Sequence, residues 1–314
     1  MIKRILAMLG LLLFVGVLVL VPVALYGDSL YRESFTARES AEAAYITSFD
    51  LLAEETKAQA QVLVNGWRGM TASKEVTAET ARGKLSATVY EPVGGDQIAP
   101  WAIVLHGGIG TERTQVLDVA CRLSLRGYRV LLADLYAHGK SAGETTTLGF
   151  GDTRDVRAWV EYIEAEEPHA KIVLFGFDEG AAAVLTAAGE GLKDSVAAVA
   201  ADSASNDPMA RMLSVAGVEE DGLQAMLLKR IFARKAGVNP ELLSQRLSGV
   251  QTPMLLIHGT GDQEVPAWNS EDIAKAAANA QLLYIEGAGH GQARYLDETL
   301  YYDTLFSFYE NALK

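Results

Sequence analysis

Apolar and polar positions follow two different rhythms along this chain. Short apolar runs recur at residues 102–105, 128–133, 172–175, 196–201, 254–257 and 282–285, each long enough for a strand and too short for a helix. Between them, apolar residues fall at i, i+3, i+4 and i+7, as in Val116, Val119, Ala120 and Leu123, and again in Val156, Trp159, Val160 and Ile163. Strands apolar on both faces, alternating with amphipathic helices, predict an α/β domain whose mostly parallel, twisted sheet is covered by helices on both sides. Residues 74–77 and 84–90 alternate apolar and polar positions instead, which predicts a hairpin at a sheet edge.

Two stretches depart from these rhythms. After Lys3 and Arg4, residues 5–27 carry no charge and match the thickness of a hydrocarbon core at about 1.5 Å of rise per residue. Leu25, Tyr26 and Gly27 make a poor cleavage site, so residues 1–27 are expected to be an uncleaved transmembrane anchor. The two leading cations place the N-terminus in the cytoplasm and the globular body outside the cytoplasmic membrane. Residues 28–70 are polar with apolar residues at helical spacing and are expected to form a stalk or packing helix before a body at 71–314. Within that body, residues 204–250 hold two or three helical patterns and no strand. They are expected to be a small cap over the carboxyl ends of the strands.

Composition narrows the function classes. With 27 basic and 40 acidic residues the formal charge is -13, which excludes a phosphate-binding basic surface and hence nucleic acid as a partner. The lone Cys121 rules out an internal disulfide, and no spacing among five histidines and one cysteine suggests a zinc site. No cofactor is expected.

The chemistry concentrates at four strand ends. In Gly176-Phe177-Asp178-Glu179-Gly180 the glycines permit a tight strand-to-helix turn that exposes the middle side chain. The run "IVLHGGIG" ends a strand in a Gly-rich loop, so the N–H groups of Gly108 and Glu179 are candidates for an oxyanion hole. Asp262 follows the strand in "LLIHGTGDQEVP", and His290 follows the last strand in "LLYIEGAGHGQ". His106, His138, His169 and His258 sit where loop-shaping hydrogen bonds are the simpler reading. Asp134 and Asp202 read as loop caps, and Ser203 and Ser205 lack an elbow of their own.

Taken together, LHGG, GFDEG, HGTGD and GAGHG resemble the α/β-hydrolase superfamily over roughly residues 80–313, in the chain order nucleophile, acid, histidine. The segment from Tyr128 to Ile163 further resembles bacterial membrane-anchored or exported serine-aminopeptidase-like, lysophospholipase-like hydrolases. The resemblance implies an α/β-hydrolase fold, a small-molecule or lipid-like ester or amide substrate, and a triad whose acid and histidine fall on Asp262 and His290. The serine of that triad has no counterpart, because Asp178 occupies its place. Three readings stay open. Asp178 is a nucleophile, as the resemblance to haloalkane dehalogenases and epoxide hydrolases implies, although the cap supplies no Tyr or Trp for the electrophilic assistance such chemistry needs. It orients water in a weak or atypical hydrolase. Or it forms a fixed ion pair with a protonated His290 in a pseudohydrolase that binds or scaffolds.

Overall fold

The computed structural model describes the backbone of residues 2–36, 53–94, 99–108 and 113–314, with side chains from residue 18 onward, residues 19 and 114 apart. The middle of the expected stalk, 37–52, and Ile109 and Gly110 of the Gly-rich loop lie outside the described residues.

Each short apolar run forms a strand: β3 (Trp101–Leu105), β4 (Arg129–Ala133), β5 (Ile172–Phe177), β6 (Val196–Asp202), β7 (Met254–Gly259) and β8 (Ala280–Ile285). With the hairpin β1 (Ser73–Thr80) and β2 (Gly83–Tyr90) they make one eight-stranded sheet in the order β1-β2-β4-β3-β5-β6-β7-β8. The hairpin is antiparallel and lies at the edge, β2 also runs antiparallel to β4, and every later pair is parallel. Side chains leave the sheet alternately, so its two faces feed two cores. Ile103, Leu105, Leu131, Ile172 and Leu174 face one way, beneath α4 (Thr153–Glu166), α5 (Glu179–Gly189) and the cap. Ala102, Val104, Val130, Leu132, Val173 and Phe175 face the other, beneath α2 (Glu54–Arg68), α3 (Leu117–Leu125) and α11 (Glu298–Ala312). Burial on both faces is why these strands lack polar alternation.

The cap consists of α6 (Pro208–Ala216), α7 (Leu223–Lys235) and α8 (Leu243–Arg246), with no strand. α9 (Trp268–Ala276) and α10 (Ala293–Leu296) flank the last two strands.

At the N-terminus the boundary expected at residue 27 is not a break in the backbone. One helix, α1, runs Ile2–Phe35. Its last two turns pack onto the body: Tyr31 and Phe35 are buried, Phe35 meets Phe232 of α7 with ring centroids 5.3 Å apart, and the Tyr31 hydroxyl donates to Thr145 Oγ1. Tyr31 and Phe35, four apart and on one helix face, therefore join the body's core, while Ser29, Arg32 and Glu33 on the other faces stay exposed. Leu18, Leu20, Val21 and Leu25, one to three turns earlier, are exposed. Among the described residues, which exclude the side chains before 18, no helix is long and apolar enough to cross a membrane. α2 likewise packs rather than standing free: Trp67 is fully buried against Tyr90 and its Nε1 donates to Ser124 Oγ at 2.9 Å.

Candidate active site

β5 ends at Phe177 and α5 begins at Glu179, so Asp178 alone makes the turn, with φ 48° and ψ −103°. That region is sparsely populated for a residue with a side chain and costs about 1–3 kcal/mol. Two backbone hydrogen bonds hold it, Asp178 N–H to the Asp202 carbonyl at 2.9 Å and Ala182 N–H to the Asp178 carbonyl at 3.0 Å. The flanking glycines are needed for close approach. A Cβ on Gly176 would overlap the Gly180 carbonyl, and one on Gly180 would strike the carbonyls of Leu105 and His106.

Asp262 lies just beyond β7. Its Oδ1 accepts from the N–H groups of Glu264 at 2.9 Å and Val265 at 2.8 Å, which aims Oδ2 at Nδ1 of His290, 2.8 Å away. His290, in the loop after β8, rests on the Phe177 ring with centroids 5.1 Å apart. Its Nε2 stands 3.8 Å from Asp178 Oδ2, beyond hydrogen-bond length, so the attraction there is chiefly coulombic. The structure thus brings Asp178, Asp262 and His290 together at the carboxyl edge of the sheet, with the histidine between the carboxylates.

A fourth group, not singled out in the sequence, governs the site. The Asp207 carboxylate caps α6 by accepting from Met209 and Ala210 N–H, and one turn in, the buried Arg211 reaches across to the elbow. Its Nη2 lies 3.0 and 3.2 Å from the two oxygens of Asp178 and 2.9 Å from Glu264 Oε1. Charge therefore balances locally around a buried carboxylate. Burial alone would raise the Asp178 carboxyl, but Arg211 and His290 outweigh it and bring its pKa to about 2. Burial opposes the His290 cation, yet Asp178 and Asp262 together raise its pKa to about 10. Arg211 is held above the usual guanidinium range by Asp178 and Glu264 despite its burial, and Asp262 below the usual carboxylate range by His258 and His290. At neutral pH His290 is therefore a cation paired with two carboxylates rather than a neutral imidazole able to accept a proton.

The remaining candidates find these places. Gly108, with φ +80°, and Glu179 line a mouth of about 340 Å³ with Glu33, Arg211, Val215 and Glu264, so the end of α1 forms part of its rim. Gly107, next to Gly108, packs on the elbow itself, where a Cβ would come within 2.6 Å of Asp178 Cβ. The Glu179 carboxyl is buried, accepts from Thr146 Oγ1 at 2.9 Å, and is pushed up to about 7 by burial, against the pull of His138. His106 accepts from Leu135 N–H and is held neutral by burial, and His258 bridges Ser270 Oγ and the Val265 carbonyl, both shaping loops. Asp134 caps its loop through the N–H groups of Arg113 and Lys140. Asp202 does not cap a loop. It is fully buried, accepting from the hydroxyls of Ser203 and Tyr301, because β6 ends beneath the elbow rather than at the surface. Ser205 is bound to the Asp207 carbonyl, so neither serine is poised on His290. Asp178, Glu264 and His290 offer ligand atoms within 4.8 Å of one another, but the guanidinium of Arg211 already lies between the two carboxylates.

Residues 100–229 match the family described as alpha/beta hydrolase fold, and residues 233–299 the family described as TAP-like protein. Uncharacterized proteins from two strains of Mycobacterium tuberculosis are 28% identical over 241 residues, covering 76% of this chain and 80% of each of theirs. Among solved structures, a Pyrococcus furiosus esterase aligns with TM-score 0.63 at 22% identity, covering 79% of this chain and 94% of its own. A Pyrococcus horikoshii acylaminoacyl peptidase aligns with TM-score 0.58 at 16% identity, over 78% of this chain and 42% of its own. At these identities the likeness is one of fold.

Proposed function

This chain belongs to the α/β-hydrolase superfamily, and from that premise we propose that it is a membrane-anchored hydrolase of the serine ester and amide lineage whose turnover is weak or atypical because Asp178 replaces the nucleophile. The observation that carries this reading is the binding of both Asp178 oxygens by Arg211. An oxygen engaged by a guanidinium, on a carboxyl with a pKa near 2, is a poor nucleophile and a poor general base. A charged His290 cannot take a proton from water, and the fixed negative charge at the elbow opposes an oxyanion forming beside Gly108 and Glu179. The same facts weigh against displacement at saturated carbon, since that chemistry needs a free carboxylate oxygen.

The substrate class that suits the lineage is a small-molecule or lipid-like ester or amide. Support for the anchor comes from the charge-free run at 5–27 and the exposed apolar residues from Leu18 to Leu25. The leading cations favour an extracytoplasmic body. The full chain should remain with membranes after carbonate washing, and protease should reach the body from outside the cells.

A panel of chromogenic esters and thioesters tests the catalytic reading. The parent should be slow near neutral pH. Asp178→Ser should gain activity, and Asp178→Ser with His290→Ala should lose the gain. A second reading, a pseudohydrolase that binds without turnover, is favoured by the same Arg211 clamp. It is chosen if the parent shows no activity above background across the panel.

A further inference from the structure

We propose that the cap helix α7 is a second membrane contact, lying on the bilayer surface beside the emerging anchor; this rests on the reading of α1 as a transmembrane segment. Where α1 leaves its exposed apolar stretch it meets α7. The Tyr26 hydroxyl accepts from Gln224, a Cβ on Gly27 would come within 2.6 Å of Ile231, and Asp28 pairs with Lys235. Over three successive residues of α1 the partner advances from 224 to 235, so α7 runs across α1 rather than alongside it.

The faces of α7 are distinct. Ala225, Leu228 and Phe232 are buried toward the body, with Phe232 against Phe35 at the body end of α1. Leu223, Met226, Arg230 and Arg234 are exposed and share a stripe on the side away from that buried face. Because the body lies toward the C-terminal end of α1, the side away from it is the anchor side. Leu223 and Met226, 57% and 60% exposed, thereby continue the apolar surface of Leu25 and Tyr26. Two arginines follow on the same stripe, suited to hydrogen-bond lipid phosphate oxygens in pairs. Glu219, Glu220 and Asp221 precede the helix, where they complement its positive end, and Glu220 faces Lys229 at 3.8 Å. An apolar pair followed by arginines on one helix face is the pattern of an interfacial helix. The partner that fits is a phospholipid bilayer surface.

The test uses the full chain in vesicles of phosphatidylcholine with one part in four phosphatidylglycerol, with a fluorophore on a single introduced cysteine. Cys121 is buried and its thiol is pushed up to about 12, so it does not compete for label. Leu20→Cys reports the anchor, Met226→Cys the cap, and Asn311→Cys the far end of α11. Spin-labelled lipids should quench the first two at least several-fold more than the third. Arg230→Glu with Arg234→Glu should weaken quenching at 226 and leave that at 20. Quenching at 20 with none above the 311 level at 226 overturns the inference and leaves the anchor standing. No quenching at 20 overturns both.

Discussion

If Arg211 holds a buried carboxylate in place, removing it should cost far more with that carboxylate present than without it. Asp178 keeps 3% of its side chain exposed and Arg211 6%, so water cannot replace the lost partner. Stripping one member from a buried pair costs about 3–5 kcal/mol, because the other is left charged in a poor solvent. Here His290 remains 3.8 Å from Asp178 and recovers part of that loss, so Arg211→Met should cost about 2–3 kcal/mol. Asp178→Asn leaves Arg211 with Glu264, which is half exposed, and should cost about 1–2 kcal/mol. In the double variant no buried charge is stranded. Its cost should fall short of the sum of the singles by about 2 kcal/mol. Urea unfolding of the full chain in a mild nonionic detergent, run on all four proteins, gives the cycle. Singles that add within about 0.5 kcal/mol would refute the clamp.

Three further outcomes follow from the same geometry. By NMR the His290 imidazole should titrate near 10 in the parent and well lower in Asp178→Asn; because its folded pKa is raised, its stabilisation is complete below about 6.5 and disappears as pH rises through about 10. Glu179→Gln should match the parent in stability near pH 4 and exceed it above pH 7, since a carboxyl raised to about 7 in the folded state costs the parent stability as pH rises from about 4.5, where the unfolded carboxyl ionises, to about 7, where the loss is complete; equal stability at both pH values would contradict the burial argument. Gly180→Ala should destabilise the fold by about 3 kcal/mol or more, read as a lowered urea midpoint, because its methyl would strike backbone rather than a movable side chain.

Much of the sheet was legible because burial on both faces writes continuous apolar runs, and the elbow because only glycine tolerates such close backbone approach. The extra residues at strand ends, such as Gly176 and Phe177 beyond the run at 172–175, were not, since glycine breaks an apolar pattern without breaking a strand. Asp262 and His290 could be placed because each follows a strand directly. Arg211 could not: its partner is 33 residues away, and which cap side chain reaches the elbow depends on how α6 docks. A signal existed, since an arginine amid "MARMLSV" on the apolar side of a capped helix must find a carboxylate if buried. The helix α1 was divided at residue 27 on charge alone. Tyr31 and Phe35, spaced to share one face, marked its continuation into the body.

The central claim is that the parent lacks a working nucleophile while the rest of the site still matches a triad. Intact-mass measurement after exposure to p-nitrophenyl butyrate at neutral pH tests it directly. The parent should stay unmodified, Asp178→Ser should acquire one butyryl group mapped to position 178, and Asp178→Ser with His290→Ala should not. Robust parental turnover with a covalent adduct on Asp178, abolished in Asp178→Asn, would contradict the account and make the aspartate the nucleophile.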